Sequence, residues 1–152
     1  MIKPEYVELL VSLRANETRH SGRDLLTHLR NTHDLLEAWG CPDDVCAAGL
    51  FHSVYGTNSF KHQSCPLDFR PNIAKLIGRE AEFLAYLFCV LDRPAALFTL
   101  RDHERRRELL QIETANLIEQ GIGNKWLIRL RKCDIGDEAK AAIDAQLRKG
   151  AP

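Results

Sequence analysis

Apolar residues recur at intervals of three and four along most of this 152-residue chain, which is the spacing of one face of an α-helix. Alternation of apolar and polar residues, as in a half-buried strand, never persists for more than a few positions. The pattern predicts a first helix after Pro4, which the polar stretch 16–22 ends. The predicted fold class is therefore all-α, a helical bundle.

Two central helices have clear end signals. Asp24 is placed to cap the start of a helix that runs to Trp39, and Gly40 is placed to end it. Pro42 opens the next helix, where proline is well tolerated in the first turn. Small residues at 47–49 would let a neighbouring helix approach this one closely.

The rest of the chain continues the helical pattern. Gly56 to Phe69 is a long loop, and loops of this length in compact domains are usually functional or mobile. The tail from Arg148 to Pro152 should fray. Further helices are predicted over 72–77, 79–91, 102–120, 126–133 and 137–147.

Composition narrows the class of protein. The length fits one domain, 1–152. Lys plus Arg and Asp plus Glu are 21 each, so the net charge is zero and no nucleic-acid partner is expected. The five cysteines form no C-x-x-C pair, which is typical of a reducing compartment. Because no signal peptide or spanning apolar run is present, we expect a cytoplasmic protein without membrane association; its oligomeric state stays open.

Two histidines stand out against this scaffold. His28 lies on the inner face of the second predicted helix, and His52 lies near the end of the third. Imidazoles on adjacent antiparallel helices can converge on one point, which is how helical bundles build metal sites. The pattern alone also allows both to be core residues.

A motif precedes this pair. Arg19, Ser21 and Gly22 form an R-x-S-G turn, His28 follows seven residues after Ser21, and His52 follows 24 residues later. The stretch 19–58 resembles the HD-domain superfamily, and within it the hydrolase domain of the Rel/Spo alarmone (ppGpp) family. The resemblance implies an HD-type bundle, a divalent metal (Mn, Fe or Zn) on the two histidines, and an arginine at position 19 that stacks on a base.

The stretch departs from that family at its acidic positions. Ser53 stands where the family has the aspartate of its His-Asp pair, and a serine hydroxyl is a weak, uncharged ligand. Gly56 and Thr57 replace the acidic pair that follows. The run His-Ser-Val-Tyr-Gly-Thr at 52–57 is similar to an uncharacterised bacterial HD-like family. The family's last ligand is an aspartate on a late helix, where this chain offers Glu113 or Asn116.

The candidate site is assembled from these residues. Glu113 lies on an apolar helix face, so it needs a partner, which could be a metal, a histidine, Arg79 or Lys125. Asp92 is a rival carboxylate that could also be a turn residue, and His20 is a further possible ligand. The predicted catalytic residues are His28, His52, Ser53, Tyr55 and Glu113; ligand binding is assigned to Arg19 and Thr57, and metal binding to His28, His52, Glu113 and Asp92.

Two functions remain open. The first is a metal-dependent HD-type enzyme, a phosphohydrolase or oxygenase that acts on a small molecule or nucleotide through its His-lined pocket. The second is a catalytically degenerate HD fold that serves as a small-molecule or nucleotide binding module. The histidine spacing and the polar His-Ser-Tyr-Thr group favour the first, whereas the missing aspartate and the missing acidic pair favour the second. The sequence leans slightly to the metal-dependent enzyme, and alarmone hydrolysis itself is not expected.

Overall fold

Helices dominate the computed structural model, which describes residues 1–150, so the all-α prediction is confirmed. The helices are α1 (Pro4–Ser12), α2 (Leu25–Ala38), α3 (Asp43–Phe51), α4 (Arg70–Ile77), α5 (Arg79–Val90), α6 (His103–Gln120), α7 (Asn124–Leu130) and α8 (Asp137–Lys149). Short 3₁₀ turns cover Leu67–Phe69 and Ala95–Thr99. Two short strands, β1 (Arg19–His20) and β2 (Arg23–Asp24), precede α2.

The ends of α2 agree with the sequence signals. The Asp24 carboxylate accepts hydrogen bonds from the Thr27 backbone N–H at 2.8 Å and from the Thr27 hydroxyl at 2.7 Å. These bonds satisfy a donor that the first turn of a helix otherwise leaves free. At the other end, Gly40 has a φ of 69°, the left-handed conformation in which glycine is preferred. Local sequence therefore determines where this helix begins and ends.

Helix α3 lies at the centre of the bundle, packed against α2, α5 and α6. Every residue from Val45 to Phe51 is buried. A Cβ atom added at Gly49 would lie 2.3 Å from the Cδ1 atom of Leu36, so the Leu36 side chain of α2 occupies the space that an alanine at position 49 would need. The predicted role of the small residues at 47–49 is confirmed at Gly49.

The β-hairpin was not predicted. Arg19 pairs with Asp24 and His20 pairs with Arg23 in antiparallel register. Ser21 and Gly22, the two turn residues, both have positive φ (49° and 82°), which a type I′ turn requires. Two residues per strand are too few to show alternation, so the sequence indicated a turn at 19–22 but not the strands on either side of it.

Other helix boundaries also differ from the predicted ones. Helix α7 begins at Asn124 and ends at Leu130, whereas the prediction was 126–133. Helix α8 continues to Lys149, so Arg148 and Lys149 do not belong to a frayed tail. Residues 151–152 of that predicted tail lie outside the described residues. Across 1–150, all five cysteines are free thiols, and no helix has the length and apolar character needed to cross a membrane.

Replacement of Gly40 tests its left-handed conformation. An added Cβ would meet nothing within 4 Å, so the effect should come from the backbone alone. We expect Gly40→Ala to lower the free energy of unfolding by about 1 kcal/mol. Gly40→Asn should lower it less, because asparagine tolerates this conformation. Urea unfolding at constant m-value measures both, and equal stability of Gly40→Ala and the wild type would contradict the assignment.

Candidate functional site

His28 and His52 face each other in the interior of the bundle. His28 projects from α2, and His52 is the residue directly after α3. Their side chains are buried, and the two Nε2 atoms lie 3.2 Å apart, which is hydrogen-bond distance. The spacing of the two histidines thus brings their imidazoles together as the sequence predicted.

The outer nitrogen of each ring also has a partner. Nδ1 of His52 lies 2.7 Å from the Gly49 carbonyl oxygen, and Nδ1 of His28 contacts the carboxylate of Glu119. Glu119, on α6, also accepts hydrogen bonds from Arg23 at 2.6 Å and from Asn31 at 3.1 Å. Burial alone would raise the pKa of Glu119, but hydrogen bonds from His28 and Asn31 outweigh it and hold the pKa below its usual value. Glu119 is therefore ionised at neutral pH.

Glu119 was missed from the sequence. The predicted inward stripe of α6 included Ile112 and Asn116, and Glu119 lies three residues further on the same face. An extension of the stripe by one turn would have found it. Glu113 was preferred because it lies between apolar neighbours.

Glu113 has a different partner from those predicted. Its carboxylate lies 2.5 Å from Nη1 of Arg93 in an ion pair with both side chains 3% exposed. Nε of Arg93 donates to the Phe88 carbonyl at 2.6 Å, and the guanidinium lies over the Phe88 ring. Burial raises the pKa of Glu113, and Arg93 acts in the opposite direction. Neither Arg79 nor Lys125, the predicted cationic partners, forms this pair. The Glu113 carboxylate, which was the predicted metal ligand, is instead bound by the Arg93 guanidinium.

Two other predicted site residues have structural partners away from the histidines. The Tyr55 hydroxyl donates to Glu82 at 2.8 Å, and Arg70 holds the same carboxylate through two hydrogen bonds. Burial, followed by the contact with Glu82, raises the pKa of Tyr55. Asp92 is exposed and accepts a hydrogen bond from Asn58 at 3.1 Å. The structure therefore groups neither Tyr55 nor Asp92 with His28 and His52.

A cavity of about 650 Å³ opens beside His52. The β-hairpin, the residues after α3, the start of the 56–69 loop and one face of α6 form its wall. Arg19 lies exposed in this wall, and the buried Thr57 hydroxyl accepts a hydrogen bond from the Phe60 N–H at 2.9 Å. The cavity wall includes Arg19, His20, His52, Ser53, Thr57 and Glu113.

Two polar atoms in this wall lack hydrogen-bond partners among residues 1–150: Oγ of Ser53 and Nε2 of His20. Ser53 is 1% exposed, and buried polar atoms in proteins are nearly always hydrogen-bonded. Burial, and secondarily His28, lowers the pKa of His20 to about 4, so this ring is neutral at pH 7. Both residues line the cavity, and within residues 1–150 neither atom has a protein partner that would compete with a polar molecule able to reach it.

The donor set for a metal is incomplete. Within residues 1–150, one group of three metal-capable side chains has its ligand atoms within 4.8 Å of one another, namely His33, Asp34 and Glu37 on α2. Its two carboxylates are exposed, and Glu37 also pairs with the N-terminal amine. Within residues 1–150, no third metal-capable side chain joins His28 and His52 in such a group. Glu119 contacts Nδ1 of His28, whereas it is Nε2 of His28 that faces His52.

Residues 9–93 match a protein family described as "Domain of unknown function (DUF6817)". The chain belongs to this family. No curated protein and no solved structure matches the chain. The DUF6817 match includes both histidines, Ser53 and Arg93, whereas Glu113 and Glu119 lie beyond it on α6.

The half-buried His20 and the buried His52 should make the fold sensitive to acid. The pKa of His20 falls to about 4, and burial also lowers the pKa of His52 well below 6.5. The unfolded chain therefore binds protons that the folded chain does not. The free energy of unfolding should be highest above about pH 6.5 and should fall as the pH drops towards about 4.

Urea midpoints measured across this pH range check the contribution of His20. His20→Asn should show a shallower loss of stability than the wild type, and the exposed His62→Asn should behave as the wild type does. An identical pH dependence of all three proteins would contradict the assigned burial of His20.

Proposed function

We propose that this protein is a small-molecule binding module, built on an HD-type bundle that has lost its catalytic acids. The observation that carries the proposal is that Ser53 belongs to the cavity wall and that its buried hydroxyl has no partner in the described part of the chain. An unsatisfied buried hydroxyl costs roughly 1–3 kcal/mol, and a bound ligand would remove that cost.

The size of the cavity supports a ligand of nucleotide dimensions. Small-molecule sites usually occupy about 300–1,000 Å³, and about 650 Å³ lies within that range. The cavity wall combines apolar side chains such as Phe60 and Trp126 with a few polar ones. A ligand with a flat ring and polar edges fits such a wall.

The charges of the wall favour an anionic nucleotide. Arg93 and Glu113 neutralise each other, and Arg23 and Glu119 do the same behind the histidines. Arg19 is then the exposed cation of the cavity wall, and a guanidinium can stack on a base or bind a phosphate. Ser53 and His20 would bind the polar edge of the ligand.

A metal-dependent phosphohydrolase or oxygenase is the second candidate. It is favoured by the partners of the two Nδ1 atoms, because metal-bound histidines usually donate their outer N–H to a carboxylate or carbonyl. The residues do not fit a Mn, Fe or Zn centre in other respects. No carboxylate faces the space between the two Nε2 atoms in the range 1–150, and Ser53 brings no charge.

The proposal also includes a cellular location and a class of ligand. Free thiols at all five cysteines in residues 1–150 support a reducing, cytoplasmic location. The zero net charge supports a small-molecule ligand in preference to nucleic acid.

Isothermal titration tests the proposal with guanosine, guanosine 5′-diphosphate and adenosine 5′-diphosphate, each in the presence of EDTA. We expect the diphosphates to bind and Ser53→Ala to weaken their binding about fivefold, the loss of one hydrogen bond. The same variant should leave the urea midpoint unchanged or raise it, because it removes a buried hydroxyl that has no partner.

Ser12→Ala is the matched control, since the exposed Ser12 hydroxyl donates to the Leu9 carbonyl on α1, outside the cavity wall. Its nucleotide affinity should equal that of the wild type. Absence of binding by all three probes, or equal affinity of Ser53→Ala and the wild type, would refute the proposal.

A further inference from the structure

Arginine side chains that are at least partly buried in residues 1–150 each bind a carboxylate, with one exception. The pairs are Arg23 with Glu119, Arg70 with Glu82, Arg93 with Glu113 and Arg105 with Glu80. Arg106, on α6, is also partly buried, but it forms no ion pair with any residue in the range 1–150. This guanidinium therefore differs from the other buried cations of the chain.

Neutral groups hold the Arg106 guanidinium in place. Its Nη1 donates to the Leu100 carbonyl at 3.0 Å, and its Nη2 lies 2.8 Å from Nδ1 of His103. Because a guanidinium has no acceptor, Nδ1 of His103 is the acceptor in this contact, and further N–H groups of Arg106 remain for a ligand. The bonds orient the positive charge but do not balance it. A partly buried charge without a counterion is costly, so this position favours a bound anion.

A second cavity, of about 330 Å³, opens beside Arg106. The 3₁₀ turn at Ala95–Thr99, the first half of α6 and the segment between α7 and α8 form its wall. Among residues 1–150, no side chain lines both this cavity and the larger one beside His52. The wall also lies beyond residues 9–93, the segment that matches the family. The second cavity is therefore separate from the proposed nucleotide site.

Positive charge predominates in the second cavity. Arg106, Arg107 and Lys132 line it, and Asp134 is the acid in its wall, which leaves an excess of two positive charges. Asp134 is 82% exposed and lies 3.5 Å from Nε of Arg107, which is longer than a strong ionic hydrogen bond. This carboxylate can turn into solvent when a more highly charged anion enters. Because the whole chain has no net charge, the excess is a local property of the cavity.

The remaining wall of the second cavity is partly apolar. Phe98 and the buried Leu110 line it together with the cations. Its volume lies at the lower end of the range for small-molecule sites, about 300–1,000 Å³. Guanidinium groups bind phosphate oxygens through paired N–H donors, and apolar side chains cover the carbon-rich part of a ligand. This combination fits a phosphate group attached to a single ring or a short chain.

We propose that the second cavity binds a phosphate monoester, with Arg106 as the anchoring residue. Arg106 and Arg107 bind the phosphate oxygens, and Lys132 adds a third positive charge. The organic group of the ester contacts Phe98 and Leu110. This site is additional to the proposed nucleotide site and does not depend on what the larger cavity binds.

Isothermal titration of the whole protein in phosphate-free buffer tests the ligand class with phenyl phosphate, inorganic phosphate and phenol. We expect phenyl phosphate to bind, and inorganic phosphate to bind more weakly because it leaves Phe98 and Leu110 uncovered. Phenol, which carries no charge, should not bind measurably. Absence of phenyl phosphate binding, or equal affinity for phenyl phosphate and either other probe, would overturn the proposal.

Substitutions test the role of the cations. Arg106→Gln should weaken phenyl phosphate binding about tenfold, the loss of one ionic hydrogen bond. Because this change also removes the bonds to Leu100 and His103, the exposed Lys132→Gln is a second variant. It should leave the urea midpoint unchanged and weaken binding about threefold, as expected for an exposed ion pair.

Arg30→Gln is the matched control, since it removes one positive charge from an exposed position on α2 outside the second cavity. Its affinity for phenyl phosphate should equal that of the wild type. Wild-type affinity in folded Arg106→Gln or Lys132→Gln, or an equal loss in Arg30→Gln, would overturn the proposal.

Alkylation of the cysteines locates the bound ester. Cys133 lines the second cavity, and Cys41 is a half-buried thiol outside its wall. Saturating phenyl phosphate should slow the reaction of Cys133 with N-ethylmaleimide and leave that of Cys41 unchanged, as measured by peptide mass spectrometry. An unchanged rate at Cys133 would contradict the assigned location. Loss of phenyl phosphate binding in Ser53→Ala would do so as well, because it would place the ester in the larger cavity.

Discussion

The carboxylate of Glu119 is the contact on which the site depends. It lies on α6 and accepts hydrogen bonds from Arg23 on β2 and from His28 and Asn31 on α2. The hairpin and α2, which adjoin in sequence, are thereby joined at one buried point to α6, which lies far from them in the chain. A buried carboxylate without these donors would be strongly unfavourable, so the hairpin, α2 and α6 must assemble together. The hairpin, which is bonded to the end of α6 through Ser21 and Arg23, forms part of the cavity wall.

A second buried ion pair determines what the site can do chemically. Arg93 binds Glu113 and at the same time contacts the ring of Phe88. The guanidinium thereby binds Glu113, the one carboxylate among residues 1–150 that lines the cavity near His52. The metal centre expected from the HD resemblance needs acidic ligands, whereas position 53 is a serine and the glutamate in the cavity wall is neutralised. The polar groups left unpaired there, Ser53 and His20, are neutral, which favours ligand binding over metal chemistry.

Several features could be predicted because their cause is local. Asp24 and Gly40 determine the ends of α2 through side-chain capping and a positive φ, and both are properties of single residues. The small residue Gly49 indicated close packing of α3, and the structure brings Leu36 to that position. The prediction that the His28 and His52 side chains face each other followed from helix periodicity and from the short connection between α2 and α3. The hairpin at 19–24 was missed because its two-residue strands are too short for a periodic signal.

The sequence by itself determined the helical class, the principal helix ends and the approach of the two histidines, since these depend on periodicity and on residues near one another in the chain. Tertiary structure alone decided which charged groups pair. Glu113 and Glu119 lie six residues apart on one helix, and either could have reached the histidines. Because α6 packs against α2, the Glu119 carboxylate contacts the His28 ring. Arg93, which follows α5 in the chain, forms an ion pair with Glu113. Such pairings depend on how closely elements from different parts of the chain approach one another. Local sequence does not encode those distances of a few ångströms.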